Sequence, residues 1–114
     1  MPPKKNPLKL NKLQLRTLAL AQLLAQDSNL AKRDETTGAV TLLQLPQAHG
    51  DHLHIGPFVV STREASGLSN ASVWAALVRK GLVLNDGPIA ITLTAEGVSY
   101  DTGIGNRFLA PSDH

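Results

Sequence analysis

Three histidines and an aspartate fall within six residues, in the run His49-Gly50-Asp51-His52-Leu53-His54. Side chains alternate along a strand, so a strand through this run would put His52 and His54 on one face. With His49 close by, a facial set of imidazoles could hold zinc or another divalent ion and leave one position open for water. The spacing is not H-x-H-x-D-H, and no glutamate stands near enough to join the set. Histidines also suit a half-exposed strand with no ligand at all, so His49, His52 and His54 are metal candidates only, and no cofactor is expected. The absence of cysteine removes disulfides, thiolate nucleophiles and cysteine-rich zinc sites, and fits a reducing compartment. No nucleophile–base pair, phosphate-cradling glycine loop or paired-carboxylate motif occurs, and Gly103-Ile104-Gly105 is too short a pattern to carry a phosphate. An enzyme is not expected.

A second group of signals lies in the stretch from Gly67 to Leu93. Ser69 and Asn70 are good helix caps, Val73 and Leu77 lie one turn apart, and Gly81 stops the helix just after Arg79 and Lys80. Two apolar runs follow, Leu82 to Leu84 and Ile89 to Leu93. The polar, glycine-containing Asn85-Asp86-Gly87-Pro88 between them supplies the reversal of a hairpin. Upstream, Ser61-Thr62-Arg63-Glu64 has the S-x-x-E form of a capping box and predicts a short helix from Ser61 to Gly67.

Helix, strand, tight turn, strand is the order of a winged helix. Over residues 67–97 the chain resembles the winged helix-turn-helix DNA-binding domains, including the MarR-type regulators. The matching residues are Gly67-Leu68-Ser69, Val73, Lys80-Gly81-Leu82-Val83, and the Leu93-Thr94-x-Glu96-Gly97 that follows the wing. The resemblance implies that the helix after Gly67 lies in the major groove with Ser69, Asn70, Ser72, Ala75 and Arg79 toward DNA, where Asn70 could read adenine through its amide and Arg79 could hold a phosphate or a guanine. Val73, Ala76 and Leu77 would point inward, Trp74 would pack, and Arg63 would hold a phosphate. Two departures stand out. Arg63 and Ser66 occupy places where the family prefers a small and an apolar residue, which leaves Ala65 as the packing residue. The wing tip carries an acid and no cation.

The remaining chain must support that unit. Asn11 with Gln14 predicts a capped helix from Lys12 to Gln26, with Leu13, Thr17, Leu20, Ala21 and Leu24 at helical spacing. Leu15, Leu18 and Leu23 widen its apolar surface, so the helix could face both its own core and a second copy of the chain. Residues 27–38 are polar and read as a loop, 39–45 as a strand, and 52–61 as strands broken at Gly56-Pro57. Thr94 caps another short turn. The fold class is therefore α+β, a winged helix-turn-helix with an additional β-hairpin between the first and second helices.

Length and charge complete the reading. A chain of 114 residues is one domain by size. Residues 1–10 form a basic flexible arm with Lys4, Lys5 and Lys9, residues 11–102 the winged-helix domain, and residues 103–114 a tail. Lys12 and Arg16 continue the basic run, and the first acid is Asp27. The long apolar stretches are interrupted by Lys, Arg and Gln, so no membrane span is expected, and MPPKKNPLKL lacks the apolar core of a secretory leader. The sequence thus predicts a small cytoplasmic DNA-binding protein, a transcriptional regulator, whose partner is double-stranded DNA. Lys4, Lys5, Lys9, Arg63, Ser69, Asn70, Ser72 and Arg79 would make the contacts. A homodimer could form through the first helix or the tail. The alternatives are a winged helix used for protein contacts and a metal-binding protein built on the histidine run.

Overall fold

A computed structural model of the chain describes residues 7–46, 50–55, 58–85, 91–103 and 110–111. Lys4, Lys5, His49, the Gly56-Pro57 break, the wing tip at 86–88 and most of the tail lie outside the described residues. The architecture is α+β, with three α-helices and two antiparallel sheets among the described residues.

Helix α1 (Lys12–Ala25) begins at a complete capping box: the Asn11 Oδ1 accepts from the Gln14 N–H at 2.8 Å, and the Gln14 Oε1 accepts from the Asn11 N–H at 3.0 Å. Thr17, Leu18, Leu20, Ala21 and Leu24 are buried, and Leu15 and Leu23 are half-buried against the same core. The chain itself therefore covers much of the wide apolar surface of α1.

The larger sheet has the order β1-β2-β6-β5, from β1 (Ala31–Arg33), β2 (Val40–Leu42), β5 (Val83–Asn85) and β6 (Ile91–Leu93). Its register places Val40 opposite Leu93 and Leu93 opposite Val83, a buried row facing the core. The next row across the pleat carries Thr41 and Thr92, whose hydroxyls meet at 2.9 Å. The smaller sheet joins β3 (His52–Ile55), β4 (Phe58–Ser61) and β7 (Ala110–Pro111) in the order β3-β4-β7. Leu53, Ile55 and Val60 turn inward from it.

Two hairpins thus separate α1 from the next helical segment, where the sequence predicted one strand and one hairpin. The extra strand, β1, falls in the polar run read as a loop. Its burial is slight, and it is held by pairing with β2 across a tight reversal. In that reversal Asp34 Oδ1 accepts from the Thr36 N–H, Gly38 donates back to the Asp34 carbonyl at 2.8 Å, and Gly38 takes a φ of 78°.

The helix predicted from Ser61 to Gly67 is also replaced. Residues 62–65 form turns, and a 3₁₀ helix runs over Ser66–Ser69. Ser61 Oγ does accept from the Glu64 N–H at 3.1 Å, so half of the capping box is made. The other half is lost because Glu64 Oε2 lies 3.2 Å from Arg16 Nε on α1. Gly67 then sits so close to α1 that a Cβ there would run into the side chain of Thr17 and crowd Leu13. Its φ is not left-handed, so this glycine serves close approach rather than the turn.

Helix α2 (Ala71–Arg79) follows, capped by Asn70, whose side chain accepts from the Ser72 N–H. It ends in a Schellman motif, in which Leu82 donates to the Leu77 carbonyl at 3.0 Å, Gly81 to the Val78 carbonyl at 3.0 Å, and Gly81 adopts a φ of 77°. Leu77 and Leu82 are both buried, which adds the apolar contact of that motif. The residues Leu93-Thr94-x-Glu96-Gly97 have a structural reason. Thr94 Oγ1 donates to the Gly81 carbonyl at 2.8 Å and accepts from the Gly97 N–H at 3.0 Å, so one hydroxyl ties the end of α2 to the start of α3 (Ala95–Ser99). A side chain at Gly97 would strike the Leu82 carbonyl.

Candidate nucleic-acid interface

On α2, Val73, Ala76 and Leu77 are buried, as helical spacing requires. Ala71, Ser72, Ala75, Val78 and Arg79 are exposed, together with Ser69 and Asn70 just before them. Trp74 is half-buried, and its Nε1 donates to the Leu68 carbonyl at 2.8 Å. That bond pins α2 to the 3₁₀ helix and so fixes the angle at which the exposed face is presented.

Ser69, Asn70 and Ser72 cluster at the N-terminal end of this face. Arg79 lies about 13 Å further along the axis, at 1.5 Å per residue. Ser69 and Asn70 are already engaged: Ser69 Oγ donates to the Ser66 carbonyl at 3.2 Å, and Asn70 Oδ1 caps the helix at 2.9 Å from the Ser72 nitrogen. What Asn70 offers outward is chiefly the N–H donors of its amide. Arg63 is exposed in the turn before the 3₁₀ helix, and Lys9 is exposed ahead of α1. Nothing from Ala65 to Asn85 is acidic, so this stretch presents no carboxylate to a polyanion.

Two tertiary ties that hold this surface in place have no local signal in the sequence. The Arg16–Glu64 pair fastens α1 to the turn beside Arg63. With side chains 38% and 29% exposed, and with Oε2 not aligned for a hydrogen bond at 3.2 Å, it is a weak, partly screened clamp. Gln22 Nε2 donates to the carbonyls of Gly97 and Tyr100 at 2.9 and 2.8 Å, satisfying the end of α3 from α1.

The histidine run is built differently. His52 and His54 share the outward face of β3, their rings edge to face with centroids 5.1 Å apart, and His52 Nδ1 lies 3.2 Å from Asp51 Oδ1. Among the described residues no three of His, Cys, Asp and Glu are placed to hold a metal ion. Among the described residues, the lining of a cleft of about 320 Å³ between Leu45, Pro46, Leu53, Ala65 and Leu68 holds no ionisable side chain. Among the described residues no helix is long and apolar enough to cross a membrane.

Comparison with family models, curated proteins and solved structures returns no match for this chain.

Proposed function

We propose that the chain is a small winged-helix protein that binds double-stranded DNA and serves as a transcriptional regulator in the cytoplasm. The observation that carries this reading is the exposed face of α2, free of carboxylates, with small polar side chains at its start and Arg79 at its end. The pairing of β2 with β6, and of β6 with β5, supports it, because a strand preceding the helix pair then joins the hairpin that would be the wing.

In this reading α2 enters the major groove by its N-terminal turn. Small residues there, Ser69, Ala71, Ser72 and Ala75, let the backbone come near the base edges, and the Asn70 amide donates to an acceptor such as a purine N7. Arg63, Arg79 and Lys9 contact phosphates, joined by Lys4 and Lys5 of the arm. These ionic contacts would supply most of the affinity, while Asn70 and Ser72 would bias it toward a sequence.

The test is fluorescence anisotropy of a labelled random duplex. Binding should weaken steeply with salt, and Arg79→Ala should lower the slope of log affinity against log salt by about 0.9. Asn70→Ser keeps a capping oxygen, so any change in sequence preference is not a folding effect. Failure to bind at low salt removes the reading.

A second reading, a winged helix used for protein contacts, is favoured by Val78 on α2 and Leu84 on β5, which are 36% and 47% exposed. Capture of a partner that survives nuclease treatment and is lost in Val78→Ser with Leu84→Ser would favour it over DNA.

A further inference from the structure

Away from the α2 face, β3 carries a pair of side chains that neither functional reading uses. Leu53 and Ile55 are buried, and the alternation of the strand then turns His52 and His54 to the outward face of the smaller sheet. The register with β4 sets Ser61 opposite His52 and Val59 opposite His54, so no lysine or arginine stands across from either imidazole. Pairing runs the whole length of β3, from His52 to Ile55. The two rings therefore hang from a fixed frame.

Their centroids are 5.1 Å apart, and the rings meet edge to face at an interplanar angle of 83°. With N–metal bonds of about 2.0–2.1 Å, two imidazoles at a tetrahedral angle on one ion have their centroids about 5 Å apart. The spacing already fits. Rotation about each Cβ–Cγ bond, a broad torsion, carries a ring nitrogen round while leaving the centroid almost in place, so two nitrogens can converge with no movement of the strand. Asp51 favours one arrangement of His52. Its Oδ1 lies 3.2 Å from His52 Nδ1, and a proton on that nitrogen leaves the lone pair on Nε2, as a carboxylate does behind a ligating histidine.

We infer that His52 and His54 together bind a divalent first-row transition ion, zinc by the tetrahedral spacing, through one ring nitrogen each. Among the described residues no third ligand joins them, so water fills the remaining positions and the ion exchanges readily. Imidazole selects such ions over magnesium and calcium, which take oxygen ligands. The inference stands apart from the DNA reading. Only the folded strand holds the two rings together, so zinc also stabilises the folded chain.

The experiment titrates the full chain with zinc chloride by calorimetry and follows the imidazole C–H signals by NMR. Zinc should move the signals of His52 and His54 together and raise the melting temperature, and the same concentration of magnesium chloride should do neither. His52→Gln and His54→Gln should each weaken zinc binding by about a hundredfold or more, since either leaves a single imidazole in place of a chelate. The double variant His49→Gln with His114→Gln should bind as the full chain does. His52 is half-buried and His54 exposed, so the metal-free melting temperature should hardly change in the single variants. Should one of them melt lower, the NMR of the unaltered chain decides: zinc shifts on both His52 and His54 uphold the chelate, and shifts on one or neither overturn it. No zinc uptake at millimolar concentration, equal affinity in either single variant, or loss of binding in the His49 and His114 double variant also overturns it.

Discussion

The starts of α1 and of the next helical segment carry the same kind of signal and come out differently. At α1, Asn11 and Gln14 exchange both bonds of a capping box, and a regular helix follows for 14 residues. At Ser61 and Glu64 the first bond forms, but Glu64 turns to Arg16, and the chain passes through turns into a 3₁₀ helix over Ser66–Ser69. A cap only lowers the cost of nucleating a helix; what propagates it is a face that can be buried. Residues 12–25 have such a face. After Ser61 the chain must press Gly67 onto Thr17, which leaves too little room for a regular turn of helix there.

The comparison can be broken at several places, and the largest effect should come from Gly67. Gly67→Ala forces a Cβ into the side chain of Thr17 and should cost about 1–3 kcal/mol in chemical denaturation, as overpacking does. Thr17→Ala in the same chain should recover part of that loss; full additivity would mean the two do not meet. Next comes the complete cap. Asn11→Ala should cost about 1 kcal/mol, because it orphans the Gln14 N–H, leaving only the bond from the backbone N–H of residue 11 to Gln14 Oε1. Ser61→Ala, by contrast, removes an exposed half-box that only turns follow directly, and should cost less than about 0.5 kcal/mol by the same measurement. Equal losses at Asn11 and Ser61 would contradict the distinction drawn between them. The smallest effect belongs to Arg16→Met. It frees Glu64 at a cost of under about 1 kcal/mol, and since a partly exposed pair is screened, the cost should shrink with added salt.

What could be read from the sequence, and what could not, follows the same line. Helix α1, helix α2, the stop at Gly81, the hairpin of β5 and β6 and the turn capped by Thr94 all depend on residues within a few positions of one another. Caps, helical spacing and turn residues report such neighbours directly. Strand β1 was hidden because its residues are polar and their partner strand supplies the order. The Arg16–Glu64 pair and the Gln22 bonds, which span 75 and 78 residues, leave no local trace. The exposed placement of Ser69, Asn70, Ser72 and Arg79 is the one the resemblance implied. The cap made by Asn70 was legible as well, being a bond to a residue two positions on, whereas the pressing of Gly67 onto Thr17 needed the packing of α1 on the 3₁₀ helix.

The most direct test of the central claim is the salt dependence of full-chain binding to a random DNA duplex. Phosphate contacts by Lys9, Arg63 and Arg79 predict a slope of log affinity against log salt of at least about 2.7, at about 0.9 per phosphate. A slope near zero, or no anisotropy change at the lowest salt, would contradict DNA binding by this surface.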